Sequence, residues 1–233
     1  DGGISIMTLI SFLGITLAVF ALIVTLAVRS GFRHEFVKTI LGANAHISIY
    51  NPTYLNQDGS SSRLIINYEK LTKDMTFLTE VNLVAPIVKG QVLAASGMNS
   101  LGVEVFGIKP NDLNKIPLIA NPKVAIGKIS NFNKGVAIGS GIARQLLLVP
   151  GDKVKIISPG GLKTAFGTTP RVQNFEVVYI FEVGRYDIDS TRIYMPFDKD
   201  QTFFNKDLGA DVIEIFVSEP DQIDKTILEL QKI

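Results

Sequence analysis

The sequence predicts an α+β chain carried by one membrane-spanning helix. Ile4 to Val28 is an unbroken run of 25 residues without a charge. About 20 apolar residues of helix, rising 1.5 Å each, cross a bilayer core roughly 30 Å thick. After this run, short strand-like segments alternate with turns and short amphipathic stretches. What remains beyond residue 40 is long enough to bury a core as one domain or two small ones.

The run is too long for the apolar stretch of a signal peptide, about 7–15 residues, and no small-x-small cleavage site follows it. Arg29, Ser30, Gly31, Phe32 and Arg33 come next instead. A buried core helix is the alternative to a span. The chain begins at Asp1 rather than Met and reads as a piece of a longer protein. Arg29, Arg33 and Lys38 follow the run while only Asp1 precedes it. Taken alone, the positive-inside rule would place the domain in the cytoplasm.

The formal net charge of +1 lacks the basic excess of a nucleic-acid binder. With no cysteine there are no disulfides, zinc–thiolate sites or thiol nucleophiles. Two histidines, His34 and His46, do not make a metal or catalytic cluster. No cofactor is expected.

The helix of the span is expected to continue through Phe32, Phe36, Ile40 and Leu41, spaced three and four apart, and to stop at Gly42. Ala45–Tyr50 alternates as a strand that places His46 on one face. Asn51–Arg63 reads as a polar loop. Tyr68–Leu78 reads as a helix with Leu71, Met75 and Leu78 on one side. Val84–Ala95 and Leu101–Ile108 form a hairpin, and Pro110–Ile116 a helical turn. Asn121–Asn133 has no clear pattern. Val136–Ile138 is a strand, Ser140–Leu148 a helix capped by Ser140, and Val154–Ile157 a strand. Ser158–Gln173 is a Gly/Pro-rich segment without regular structure. Phe175–Val183, Arg192–Met195 and Asp211–Val217 are strands. Pro196–Phe204 and Pro220–Lys232 are helices. Long loops tend to carry function, which singles out 51–63 and 158–173.

Several motifs fail. Gly139-Ser140-Gly141 has no third glycine at dinucleotide-site spacing, and Gly160-Gly161-Leu162-Lys163-Thr164 lacks the GxxxxGK[ST] spacing of a phosphate loop. The chain therefore does not hydrolyse ATP by itself. No GxSxG elbow is present. Asp187 and Asp189 are placed for a metal, but Asp and Ser between two strands serve turn chemistry equally well.

Two stretches, Gly14–Ile49 and Gly135–Pro159 followed by Thr164–Pro196, resemble the lipoprotein-releasing ABC transporter permeases of the LolC/LolE family. The features that carry the likeness are the span, then Arg29-Ser30-Gly31-Phe32, then Ile40-Leu41-Gly42, and the order of segments after Gly135. The resemblance implies a transmembrane helix with its extension (residues 1–42) and a mixed α/β periplasmic domain of MacB-like type (43–233). That domain would have two subdomains, a porter-like α/β part and a β-rich part. The chain would be the first of four spans plus the domain that follows. The protein would sit in the bacterial inner membrane with the domain in the periplasm. It would be non-catalytic, paired with a second permease subunit and a LolD-like cytoplasmic ATPase. It would pass lipoprotein substrates to a LolA-like periplasmic carrier.

The resemblance also implies site residues. A carrier-binding, Hook-like hairpin would span about 159–173, with Lys163, Thr164, Ala165, Phe166, Gly167, Thr168, Thr169 and Pro170 at its end. Thr164, Phe166, Gly167 and Pro170 fit the family's Thr-Pro-x-Gly-x-x-Pro pattern loosely, and Ala165 stands where a proline is common. Lys155, Arg171 and Gln173 would form a nearby polar contact with the carrier. Phe12, Leu17, Phe20, Val24 and Val28 would offer one stripe to lipid or to lipoprotein acyl chains. The residues themselves also fit a docking loop, because Leu162 and Phe166 are apolar anchors flanked by Lys163 and Arg171. A MacB-like efflux permease, an FtsX-like signalling permease, or a single-pass tethered binding module are the rival readings.

Overall fold

The computed structural model describes residues 2–41, 43–55, 61–78, 80–164, 167–206, 209–218, 220 and 223–231; at 2–5, 33–41, 162–164, 167 and 168 only the backbone is described. The chain divides into two compact units, Asp1–Gly42 and Ala43–Ile233.

The first unit is a single helix, α1 (Gly2–Leu41). Its 40 residues extend about 60 Å at 1.5 Å per residue. The stretch Ile6–Phe32 is long and apolar enough to cross a membrane, and its side chains are exposed. Its threonines hide their hydroxyls: Thr16 and Thr25 donate to the Phe12 and Ala21 carbonyls, each at 2.8 Å. That satisfies groups that hydrocarbon cannot.

The second unit opens with β1 (Ile47–Ile49), followed by the small pair β2 (Tyr54–Leu55) and β3 (Ser61–Ser62). Part of the expected loop at 51–63 is therefore paired strand, and residues 56–60 lie outside the described residues. Next come α2 (Tyr68–Thr76), β4 (Val81–Ser96) and β5 (Asn99–Ile108). The β4–β5 turn is tight, with Ser96 opposite Asn99 and Gly97 at φ 56°. Two Pro-led turns follow, α3 (Pro110–Leu113) and α4 (Pro117–Ala120). The patternless stretch after them holds β6 (Val124–Gly127) and a 3₁₀ turn, Ile129–Asn131. The order continues β7 (Val136–Gly139), α5 (Ser140–Leu146), β8 (Lys153–Thr164), β9 (Gly167–Glu182), α6 (Tyr186–Asp189), β10 (Arg192–Pro196), α7 (Phe197–Phe204), β11 (Val212–Val217) and α8 (Ile223–Leu230).

Among the described residues one mixed sheet holds nine strands in the order β1-β11-β4-β5-β10-β7-β9-β6, with β8 bridging β4 and β9. That bridge matters. The pairings β4–β5–β10–β7–β9–β8 return to β4, so six strands close into a ring. Alternation then sends every second side chain inward. Val92, Ala94, Val103, Val105, Ile138, Val154, Ile156, Phe175 and Met195 fill the interior. β1, β11 and the first half of β4 extend beyond the ring. Their Val84, Ile213, Ile215 and Val217 pack with Ile65 and Met75. A further core, with Phe106, Ile116, Ile119, Phe132, Phe181 and Tyr194, lies beneath α3 and α4.

Two local expectations are corrected. Ser140 is the first helical residue of α5 and caps nothing; its Oγ donates to Glu182 at 2.9 Å, while Gly139 takes the cap position. Residues 158–164 and 167–173 are not irregular: they are the paired ends of β8 and β9. Glycine and proline masked the strand signal there, as they do at bulges and edges.

Candidate functional site: the β8–β9 ribbon

The antiparallel register of β8 and β9 runs from Lys153↔Glu176 to Ser158↔Arg171, breaks, and resumes from Leu162↔Thr169 to Thr164↔Gly167. The break sets Pro159, Gly160 and Gly161 against Pro170, a bulge of two extra residues. Its cause is chemical. Proline has no N–H to give a ladder. At Gly161 an added Cβ would collide with the Thr169 carbonyl, so only glycine lets the backbones approach so closely.

Of the residues the resemblance assigns to the hairpin, Lys163 and Thr164 end β8, and Gly167, Thr168, Thr169 and Pro170 begin β9. Ala165 and Phe166 lie outside the described residues.

The three polar residues nearby do not stand together. Lys155 opposes Asn174 and Ala95, is exposed, and faces out of the ring. Arg171 opposes the buried Ser158, and Gln173 opposes Ile156, so both start from the other face. Arg171 is also engaged: its Nη1 donates to the Phe203 carbonyl at 2.9 Å and the Thr202 carbonyl at 3.4 Å. It thus caps the last turn of α7, where a cation suits the helix dipole. Phe203 stands edge-on to Phe175 of β9, with ring centroids 5.9 Å apart.

Outward-facing positions of the ribbon join those of β4 and β5 in an apolar row that sequence reasoning missed. Leu93 is paired with Gly102 on one side and Ile157 on the other, and Ile157 with Val172. Leu93 is 41% exposed and Val172 57%. Beside the row lies an open groove of about 710 Å³, lined by Leu93, Ile157, Pro159, Pro170, Gln91 and Glu104 among others. Detecting it needed the pairing of β4 with β8, 60 or more residues apart, which no local pattern signals.

On α1, Phe12, Leu17, Phe20, Val24 and Val28 are all exposed. Phe12, Leu17 and Phe20, with Leu13 and Thr16, border a shallow groove of about 250 Å³.

Several other charged groups hold the fold together. The Asp189 carboxylate accepts from the Val183, Gly184 and Arg185 amides at 2.9, 3.0 and 3.1 Å. Asp187 pairs with Arg185 at 2.6 Å. Those partners explain the Asp pair without a metal, and among the described residues no cluster of three or more metal-ligating side chains exists. Hydrogen bonds from Ser140 and Arg144 hold the Glu182 carboxyl below its ordinary range. Arg192 reaches back to the start of the domain, donating to the Ala43 carbonyl at 3.1 Å and Asn44 Oδ1 at 3.0 Å. Its guanidinium lies 4.3 Å from the Phe106 ring centroid.

Residues 8–233 match the family model of the MacB-like periplasmic core domain. The chain is 30% identical over 194 residues to the lipoprotein-releasing system transmembrane protein LolC of Neisseria meningitidis serogroup B, covering 82% of this chain and 44% of that protein. It is 26% identical over 232 residues to LolE of Haemophilus influenzae, covering 97% and 50%. The chain spans about half the length of the curated relatives it matches. The periplasmic region of MacB from Actinobacillus actinomycetemcomitans superimposes with a TM-score of 0.51 at 14% identity, over 84% of this chain and 86% of that one. That likeness concerns the fold.

Proposed function

The chain belongs to the MacB-like periplasmic core domain family, and from that premise we propose that it is the first span and periplasmic domain of a lipoprotein-releasing permease subunit. In this reading the full protein is a non-catalytic, multi-pass subunit of an inner-membrane ABC transporter. It works with a second permease subunit and a LolD-like ATPase. It lifts lipoproteins from the membrane and passes them to a LolA-like carrier in the periplasm. The likeness to LolC and LolE over most of the chain supports the choice of lipoprotein over other cargo.

The observation that carries the reading is the β8–β9 ribbon, which runs paired to Thr164 and Gly167. It occupies the place where the resemblance puts the carrier-binding hairpin. Carrier contact is assigned to Lys163 through Pro170; at the base, Lys155 on one face and Arg171 and Gln173 on the other are separate rather than joint contacts. Arg171 acts there mainly by fixing the ribbon on α7. The stripe Phe12, Leu17, Phe20, Val24 and Val28 is assigned to lipid and acyl-chain contact.

Replacing residues 163–168 by an equal length of Gly and Ser tests the assignment, because it leaves the ring and its core untouched. Co-purification of the carrier should fall at least tenfold while membrane integration and thermal stability stay unchanged. Undiminished carrier binding by that variant would reject the hairpin.

A further inference from the structure

We infer that the outward groove at the root of the β8–β9 ribbon is a resting site for an acyl chain of the lipoprotein cargo. The inference rests on the transport reading above and gives that reading a route on the domain's own surface.

The chemistry of the groove selects a hydrocarbon. Leu93, Ile157, Pro159 and Pro170 line it, and Val172 continues the same row across the ribbon. Its volume of about 710 Å³ falls within the range of sites for small ligands, roughly 300–1,000 Å³. Polar residues flank the row rather than interrupt it, and Thr191 adds one hydroxyl to the lining. Gln91 and Glu104 oppose each other on one side, and Lys155 and Asn174 on the other.

A peptide fits this floor poorly. Leu93 already has strand neighbours on both sides, in Gly102 and Ile157, and Ile157 in Leu93 and Val172. The two prolines facing the groove have no N–H at all. A peptide strand laid along Leu93, Ile157, Pro159 and Pro170 would bury N–H and C=O groups against aliphatic side chains that cannot pair with them. An acyl chain carries no such groups and gains from every methylene it removes from water.

The groove is also continuous with the hairpin. Pro159 and Pro170 belong to both the groove lining and the bulge from which the carrier-binding end departs. A chain resting on Leu93 and Ile157 lies at the root of the element that meets the carrier.

The test uses the full-length permease complex in lipid nanodiscs. A triacylated lipopeptide with a diazirine on one acyl chain is added, irradiated, and its adducts mapped by mass spectrometry. Adducts at Leu93, Ile157 or Val172 are expected. Leu93→Glu and Val172→Glu, both at exposed positions, should each reduce them at least tenfold and leave adducts on the span intact. Three results would overturn the inference: adducts confined to the span, equal groove labelling by a phospholipid bearing the same chain, or equal competition by the deacylated peptide. Carrier crosslinking at the hairpin end is scored in the same samples. A carrier adduct without groove adducts removes the groove and keeps the transport reading, whereas loss of the carrier adduct removes that reading and the inference with it.

Discussion

One half-buried histidine and one fully buried aspartate give the domain opposite responses to pH. His46 Nδ1 accepts the Val217 amide at 2.9 Å, and its ring stands edge-on to Phe216. Burial lowers its pKa below 6.5. Folding then favours the neutral ring, so stability present above about pH 6.5 is lost as pH falls towards and through the lower folded value. Asp200 is the reverse. It is fully buried and neither carboxyl oxygen has a hydrogen-bond partner among the described residues, and burial pushes its pKa up to about 8. Folding favours the protonated acid, so stability is greatest below about pH 4 and falls as pH rises to about 8. Asp200→Asn should therefore raise the melting temperature at pH 8 and remove the alkaline decline, leaving the acid decline of His46. A thermal-unfolding series from pH 5 to 9 checks both signs. Arg192→Met would strand the Ala43 carbonyl and Asn44 side chain. A loss of about 1–3 kcal/mol is expected in denaturant titration. These roles were invisible in the sequence. His46 was readable as one face of a strand, but nothing local announced Val217 as its partner, 171 residues away.

At the level of elements, the span and the ribbon make separate predictions. Phe20 lies near the middle of the stretch Ile6–Phe32. A lysine there costs about 3 kcal/mol of insertion free energy, so Phe20→Lys should shift the chain into the alkali-extractable fraction. In the ribbon, Gly161→Ala would drive a methyl into the Thr169 carbonyl. The bulge must move, so hydrogen exchange should rise across residues 158–171 while the ring core stays protected. The span was legible because bilayer thickness imposes a length and an unbroken apolar composition on one continuous segment. The ribbon was only half legible. Its position was apparent from Gly160, Gly161 and Pro170, but these same residues hid its pairing. Glycine and proline are poor strand formers in isolation, and only the partner strand shows that they build a bulge.

For the whole molecule, the ring closure joins the site to the core. β8 is held between β4 and β9, so the root of the ribbon is part of the barrel wall rather than an appended loop. Inward residues such as Ile156 and Phe175 anchor it, while outward Leu93 and Val172 are exposed. Individual strands were readable from alternation, but closure was not, because it depends on long-range pairings that leave no local trace. A ribbon so anchored suits the presentation of a rigid docking element to a soluble partner. The central claim, that this element meets the carrier, is tested most directly by a photoreactive amino acid at position 166 of the full-length permease in living cells. The account predicts a single prominent adduct with the periplasmic lipoprotein carrier, absent when the same group stands at exposed Tyr50. A correctly inserted and stable permease that yields no carrier adduct from position 166 would contradict it.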